Sequence, residues 1–205
     1  MNRVINYAGS ILCVAMVFIL GCAAAPEVRR THVDEIIDLS GRWNDTDSRL
    51  VAEEMIKDGL SRPWLSRFKT KHGGRNPVVI VGTVLNRSHE HINTQVFIKN
   101  LERALINSGE VDFVASKDER RELREEKADM LKGFTSAETV KSISEETGAD
   151  FMLQGSVNSV KDQIKGKYVI LYQVNLELIH LETNKKVWIG EKQIKKFVKR
   201  PKYRF

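Results

Sequence analysis

The amino-terminal segment constrains the fold most, because it separates a hydrophobic run from the part of the chain that can form a globular core. No charged residue lies between Val4 and Pro26, and ten apolar residues follow one another from Ile11 to Leu20. Arg3 places positive charge ahead of this run. Ten residues are short for a bilayer span, which needs about 20, and match the central region of a secretory signal. The sequence therefore predicts an export signal; the alternative is a retained membrane anchor over residues 4–26.

The hydrophobic run ends at Ile19-Leu20-Gly21-Cys22, and Ala23 follows. This resembles the lipobox of bacterial lipoproteins, in which a small residue precedes the cysteine. The resemblance implies that the Cys22 thiol receives a diacylglyceryl group, that the chain is cleaved before Cys22, and that the new amine is acylated. Several acyl chains anchor a protein stably, whereas one chain is marginal. Ala23 resembles the default signal for sorting to the outer membrane.

Cleavage at this point divides the chain into three parts. Residues 1–21 are the signal peptide, residues 22–40 are the acylated cysteine and a tether, and residues 41–205 are an expected periplasmic domain. The two cysteines, Cys13 and Cys22, both precede that domain. The domain therefore has neither a disulfide nor a cysteine zinc site, and its size of roughly 165 residues is enough for a hydrophobic core.

The positive charge of the sequence is concentrated at its carboxyl end. The formal net charge is +6, and the segment from Lys195 to Phe205 holds six cations and no acid. A basic tail on an exported protein can contact an anionic surface such as phospholipid. The alternative interpretation is a solvated end strand whose lysines protect a sheet edge from pairing with other chains. Nucleic acid is not expected as a partner of an exported chain.

Hydrophobic periodicity predicts several helices in the domain. Asp45 or Thr46 is expected to cap the first, and Pro63 to sit in the first turn of a short second one. Asn93 or Thr94 is expected to cap a third helix. The predicted helices cover residues 45–59, 63–68, 94–108, 117–132 and 135–148.

Five strands are predicted between and after the helices. Pro77 to Leu85 is nearly all apolar and is expected to be covered on both faces. With the following helix and strand it forms a βαβ unit, which predicts a parallel pair. The remaining predicted strands are 111–115, 150–160, 168–180 and 186–197. The fold class is therefore α/β: one domain, a mixed sheet of four to five strands with helices on its faces, and a carboxyl-terminal antiparallel hairpin.

The sequence offers little catalytic chemistry. It has no glycine-rich phosphate loop and no serine elbow, and its acid pairs lie on the charged helix 117–132. His89-Glu90-His91 is the sole cluster of histidines. Two histidines at this spacing can share a metal in an extended loop, but the sequence offers no third ligand, which favours a hydrogen-bonded loop. We therefore expect no enzyme, no cofactor and no metal.

Several segments together resemble the LpoB-like lipoproteins, which activate penicillin-binding proteins from the outer membrane. The order and spacing of these segments carry the resemblance, which covers residues 39–197 and also the lipobox. The matching segments are Val78–Ser88, Glu90–Asn93, Leu101–Leu105, Gly148–Gly155 and Leu176–Trp188.

The resemblance implies a non-enzymatic lipoprotein that faces the periplasm and binds a bifunctional peptidoglycan synthase, whose activity it promotes in cell-wall synthesis. Enterobacterial members of the family carry a long proline-rich linker, whereas residues 23–40 are short. Contact therefore requires a synthase that reaches outward. We expect partner contacts from the loop 86–93, through Asn86, Arg87, His89 and His91, because loops often carry binding residues.

Two other functions stay open at this stage. One is a lipoprotein subunit of an outer-membrane secretion or assembly complex of the curli-exporter type, which would form a ring of many copies. It would need strands with a continuous apolar outward face, whereas Gln173, Asn175 and Glu177 alternate along one strand. The other is a wall-cleaving hydrolase, for which no pair of carboxylates stands out. The sequence does not predict an oligomeric state.

Overall fold

The computed structural model describes residues 29–32, 35–131 and 148–199. Residues 1–35 and 36–205 are separate units, and every described helix and strand belongs to the second. The helices are α1 (Asp45–Leu60), α2 (Pro63–Lys71), α3 (Thr94–Asn107) and α4 (Lys117–Leu131). The strands are β1 (Val78–Arg87), β2 (Asp112–Phe113), β3 (Phe151–Ile164), β4 (Lys167–His180) and β5 (Lys185–Lys199).

Side-chain caps mark where α1 and α3 begin, and a proline in the first turn marks the start of α2. The Asn44 side chain accepts a hydrogen bond from the backbone N–H of Asp47 at 2.9 Å, and the Asp47 carboxylate accepts one from the backbone N–H of Asn44 at 3.0 Å. This reciprocal pair satisfies two otherwise orphaned N–H groups. The prediction of Asp45 or Thr46 as the cap was therefore wrong. Pro63 in the first turn of α2 and Asn93 as the cap of α3 are confirmed.

Two predicted segments, one helix and part of the tether, are not found as expected in the described structure. The helix predicted over residues 135–148 lies almost entirely outside the described residues. Residues 36–40, which the sequence analysis includes in the tether, belong to the same unit as the sheet. In the described part of the chain, no helix has the length and hydropathy needed to cross a bilayer.

The five strands form one mixed sheet in the order β2-β1-β3-β4-β5. β1 pairs in parallel with β2 and with β3, whereas β3, β4 and β5 pair antiparallel. The predicted parallel pair and the carboxyl-terminal hairpin are confirmed. The fold is the predicted α/β domain with its full complement of five strands.

The two faces of the sheet have different environments. The face under α1, α2 and α3 carries the core, in which Phe97, Leu101, Tyr172 and Leu176 are fully buried. The opposite face, called the open face here, carries polar residues along β3 and β4, such as Asn158 and Gln173. Alternating burial along β4 follows directly from this difference.

β1 is covered on both faces over the first half of its length. Val78, Val79, Ile80 and Val81 are all buried, as predicted, but Leu85 is exposed. β1 also continues to Arg87, past the predicted end. The expectation of two covered faces therefore fails for its second half, since the polar open face begins there.

Gly155 allows β3 and β4 to approach closely. A Cβ at this position would overlap the backbone oxygen of Asn175 and lie 2.7 Å from the Leu176 side chain. We predict that Gly155→Ala lowers the free energy of unfolding by about 1–3 kcal/mol, because the sheet must shift to admit the methyl group.

Gly148→Ala is the matched control, since a Cβ there meets no atom of any described residue within 4 Å. Chemical denaturation of the two variants and the parent tests this prediction. Equal stability of Gly155→Ala and the parent would contradict it.

Candidate partner-binding site

The loop 86–93, predicted to contact a partner, is held by its own hydrogen bonds. The Asn86 amide donates to the carbonyl oxygen of Glu90 at 2.8 Å and accepts from the backbone N–H of Ser88 at 2.9 Å. The His89 backbone N–H donates to Ser159 Oγ on β3 at 3.0 Å, and His89 Nδ1 lies 2.9 Å from the same oxygen. Asn86 and His89 therefore shape the loop and join it to the sheet.

Arg87 and His91 are the two members of the predicted set that stay available. Both side chains are exposed, and neither makes a hydrogen bond or ion pair with a described residue. Within the described residues, no group of three or more potential ligands is placed to hold a metal ion. The loop can therefore offer a positive charge and an imidazole to a partner. Its role in partner contact stays a prediction.

Residues 36–44 form a strap that lies across the helix-covered side of β4 and β5. The buried Tyr172 hydroxyl donates to the carbonyl oxygen of Gly41 at 3.0 Å, and Trp43 packs edge-on against the Tyr172 ring with centroids 5.5 Å apart. Lys196 forms ion pairs with Asp38 at 2.8 Å and Asp47 at 2.7 Å. The strap thus fixes the place where the chain enters the domain.

The strap and the loop 86–93 are neighbours. The Trp43 backbone N–H donates to the Glu90 carboxylate at 3.2 Å. Burial and the nearby Glu90 carboxylate raise the pKa of Tyr172, so its hydroxyl remains a donor at physiological pH. The strap, the loop and the carboxyl end of β1 therefore lie at one end of the domain, called the entry end here.

A groove with a volume of about 430 Å³ opens at the other end, between α2 and the start of β5. This distal groove has an aromatic floor. Phe151 contacts Trp64 and Phe68 edge-on, with ring centroids 5.1 Å and 5.3 Å away. His72 stacks on Phe68 at 4.0 Å, and His180 lies 5.1 Å from Phe151. The rings of Trp64, Phe68 and Phe151 are only 2–8% exposed, so they form a packed aromatic base beneath the groove.

Positive charge surrounds this floor. The lining contains no acidic residue; its polar members are Arg67, Lys71, His72, His180, Lys185 and Lys186. Lys186 is paired with Glu177 on β4 at 2.8 Å. Arg67, Lys71 and Lys185 are exposed and form no hydrogen bond or ion pair with any described residue. Unpaired cations around an aromatic floor suit an anionic ligand that also has apolar surface.

Asp150 holds the floor in place. Its carboxylate accepts two hydrogen bonds from the Arg75 guanidinium, at 2.8 Å and 2.9 Å, and one from the backbone N–H of Val78 at 2.8 Å. The Arg75 guanidinium also lies 4.8 Å above the centre of the Phe68 ring. Burial opposes ionisation of Asp150, but the hydrogen bonds outweigh it and hold its pKa below the ordinary value.

Comparison with known proteins shows to which family the chain belongs. The family model for the peptidoglycan-synthase activator LpoB matches residues 47–194, more than half of the chain. The chain belongs to the LpoB family. The resemblance drawn from the sequence is thereby confirmed, and the family is one of activators, which are not themselves enzymes.

Solved structures include several LpoB domains that resemble this one. The LpoB carboxyl-terminal domain from Salmonella enterica is 17% identical, covers 72% of this chain and 98% of its own, and has a TM-score of 0.41. The corresponding Escherichia coli domain is 18% identical, with coverages of 65% and 98% and a TM-score of 0.37. Lipoprotein GNA1162 from Neisseria meningitidis is 16% identical, with coverages of 60% and 84% and a TM-score of 0.38. No curated protein gives a significant match.

Sequence reasoning missed the distal groove in this LpoB family member. Trp64, Arg67, Phe68 and Lys71 recur at helical spacing, which places cations beside aromatic rings on one helix and is the signal that could have indicated the groove. The other wall comes from His180 and its neighbours, far away in sequence. The predicted lipidation site, Cys22, lies outside the described residues.

The hydrogen bonds of Asp150 predict a pH-dependent contribution to stability. We expect Asp150→Asn to lower the free energy of unfolding by about 1 kcal/mol at neutral pH, since the neutral amide accepts weaker hydrogen bonds. The folded-state pKa is depressed, so the contribution is present above the unfolded pKa of about 3.9 and is lost as the pH falls through the folded value.

Urea unfolding of parent and variant at neutral and acidic pH measures this contribution. The difference between them should narrow once the pH is below about 4. Asp162→Asn is the control, because Asp162 is exposed and has no partner among the described residues. A difference that stays constant with pH would rule out the proposed ionic role of Asp150.

Proposed function

We propose that this chain is an outer-membrane lipoprotein that binds a bifunctional peptidoglycan synthase, a penicillin-binding protein, and activates it without catalytic activity of its own. The match to the LpoB family over residues 47–194 carries the proposal. The amino-terminal sequence supports it, since Ile19-Leu20-Gly21-Cys22 follows an export signal that is too short to span a bilayer. Acylation of Cys22 would hold the domain at the periplasmic side of the outer membrane.

A non-enzymatic activator must bind two conformations of its partner with different affinities. A binding protein promotes an active conformation of its partner only if it binds that conformation more tightly than the inactive one. A rigid contact surface favours such discrimination, and the distal groove has one. Its floor is fixed by the edge contacts of Phe151 with Trp64 and with Phe68 and by the hydrogen bonds of Asp150.

The distal groove is our first choice for the contact with the synthase. Arg67, Lys71 and Lys185 present charge that no described residue neutralises. An acidic segment of the synthase with an aromatic or aliphatic side chain would complement both the charge and the floor. The groove also lies at the opposite end of the domain from the strap.

The loop 86–93 is the second candidate, because Arg87 and His91 are exposed and without partners in the described structure. Asn86 and His89 would support such a contact by fixing the loop. Either surface must be met by a synthase that extends toward the outer membrane. The 14 residues from Ala23 to Ile36 span at most about 50 Å when fully extended.

Three single charge reversals of equal size distinguish these surfaces. Lys71→Glu changes the groove, Arg87→Glu changes the loop, and Arg103→Glu changes an exposed position on α3 as the control. We predict that Lys71→Glu weakens binding to the purified synthase by about tenfold and reduces its stimulation of glycan polymerisation, because an acid would then face the partner's acids. Binding kinetics at several salt concentrations measure the first effect.

The outcomes distinguish an error in the proposed binding surface from an error in the proposed function. Loss with Arg87→Glu alone would assign the contact to the loop and remove the groove from the proposal. Equal effects of all three reversals would mean nonspecific charge attraction. If the acylated parent neither binds a bifunctional synthase nor changes its rate, the proposed function is wrong.

A further inference from the structure

Three strands extend beyond the rest of the sheet at the entry end. β1 ends at Arg87, opposite Asn158, whereas β3 continues to Ile164. Past Asn158, β3 pairs with β4 and β4 pairs with β5, so the extension is three strands wide. Six more residues lengthen it by about 20 Å. The predicted end of this strand, at residue 160, was too early.

The strap covers one face of the extension. Gly41 packs against Val198 and Tyr168 so closely that a Cβ would have no room, and the Tyr172 hydroxyl bonds to its carbonyl oxygen. The chain therefore joins the domain at this extension. A surface to which the amino terminus is anchored would therefore also have the extension close to it.

The other face of the extension is uncovered among the described residues and carries apolar side chains together with Asp162, Lys167, Lys195 and Lys199. Val160, Ile164 and Phe197 are 66%, 67% and 65% exposed. The strand register puts all three on the open face, with Leu171 opposite Val160 and Val169 opposite Phe197. Exposed apolar side chains that adjoin one another mark an interaction surface. These five residues are called the tip patch.

Lysines surround the tip patch. Residues 160–169 and 194–199 contain six lysines and a single acid, Asp162. Lys196 is used by Asp38 and Asp47 of the strap, and Lys161 lies over the Tyr168 ring on the covered face. The others, Lys165, Lys167, Lys195 and Lys199, are exposed. The sequence adds Arg200, Lys202 and Arg204 beyond them.

Protection of a sheet edge explains only part of this arrangement. Lysines on an edge strand such as β5 discourage pairing with other chains. Val160 and Ile164 lie on β3, which is also an edge of the extension because β1 ends opposite Asn158. Exposed apolar side chains do not protect an edge from pairing with other chains, so the combination of an apolar surface and a basic rim requires another explanation.

We propose that the tip patch docks on the anionic surface of the bilayer that holds the amino terminus. This proposal rests on the acylated Cys22 of the proposed function. Apolar side chains that enter the headgroup region and lysines that meet anionic lipids are the two contributions that bind peripheral proteins to membranes. The domain would then rest on the membrane with its entry end, and the distal groove would face away.

Because the tether is short, a low affinity of the tip patch for the membrane is enough to keep the two in contact. The 13 residues between Cys22 and the strap span at most about 45 Å even when fully extended. A linker of this length holds a surface at an effective concentration in the millimolar range. Because the strap joins the domain beside the tip patch, the patch is the surface that meets the membrane first.

Vesicle sedimentation of a chain without lipid tests the proposal separately from the anchor. All buried hydrophobic residues of the described structure lie between Val51 and Trp188. A chain of residues 22–205 with Cys22→Ser therefore retains the whole core. We expect it to bind vesicles of equal parts phosphatidylethanolamine and phosphatidylglycerol, and to bind phosphatidylcholine vesicles much less. Binding should weaken as salt is added.

Two matched pairs of variants identify the surface. Ile164→Gln/Phe197→Gln should abolish most binding, whereas Val96→Gln/Ile106→Gln, at positions of α3 that are 47% and 53% exposed, should leave it unchanged. Lys167→Gln/Lys195→Gln should weaken binding about 25-fold, at about fivefold per lysine. Lys57→Gln/Arg103→Gln removes the same charge elsewhere and should have little effect. Thermal unfolding confirms that each variant is folded.

Three results would overturn the proposal. The first is a parent chain that does not bind anionic vesicles at low salt. The second is equal loss in the patch and control variants. The third is self-association of the parent that Ile164→Gln/Phe197→Gln removes, without vesicle binding, since the patch would then join two copies of the chain. None of these results bears on synthase binding or acylation, which are measured with other reagents.

Discussion

The hydrogen bond from Tyr172 to the carbonyl oxygen of Gly41 ties the entry of the chain to the centre of the fold. The Tyr172 ring is fully buried, and its hydroxyl needs a partner because an unsatisfied buried donor is costly. Gly41 can supply that partner only because it has no side chain to collide with Val198. Trp43 and the ion pairs of Lys196 then hold the strap along β5.

This single attachment gives the domain two ends with different chemistry. The entry end has the loop 86–93, the strap and the tip patch, and it is where the chain enters the domain. The distal end has a cationic groove over an aromatic floor. In the proposed function, the entry end would meet the membrane and the distal end would meet the partner, and these two surfaces are separated along the length of the sheet.

The sequence predicts the parts of the fold that depend on local patterns. The apolar run Val78–Val81, the cap Asn93 and the alternation along β4 each follow from contacts within a few residues. The strap, the distal groove and the tip patch depend on pairings between distant segments. Gly41 meets Tyr172 across 131 residues, and Arg67 and His180 share a groove through the fold alone. The cap Asn44 was missed because Asp45 and Thr46 are also good capping residues.

The most direct test of this two-ended arrangement is the depth of each end above a bilayer. The acylated chain has no free thiol once Cys22 is modified and Cys13 is removed with the signal, so Gln163→Cys at the tip and Thr183→Cys at the distal turn each accept one fluorescent label. The account predicts strong quenching of the tip label by a quencher attached to lipid headgroups and little quenching of the distal label, since the length of β4 separates them by about 45 Å. Equal quenching, or stronger quenching at Thr183→Cys, would contradict it.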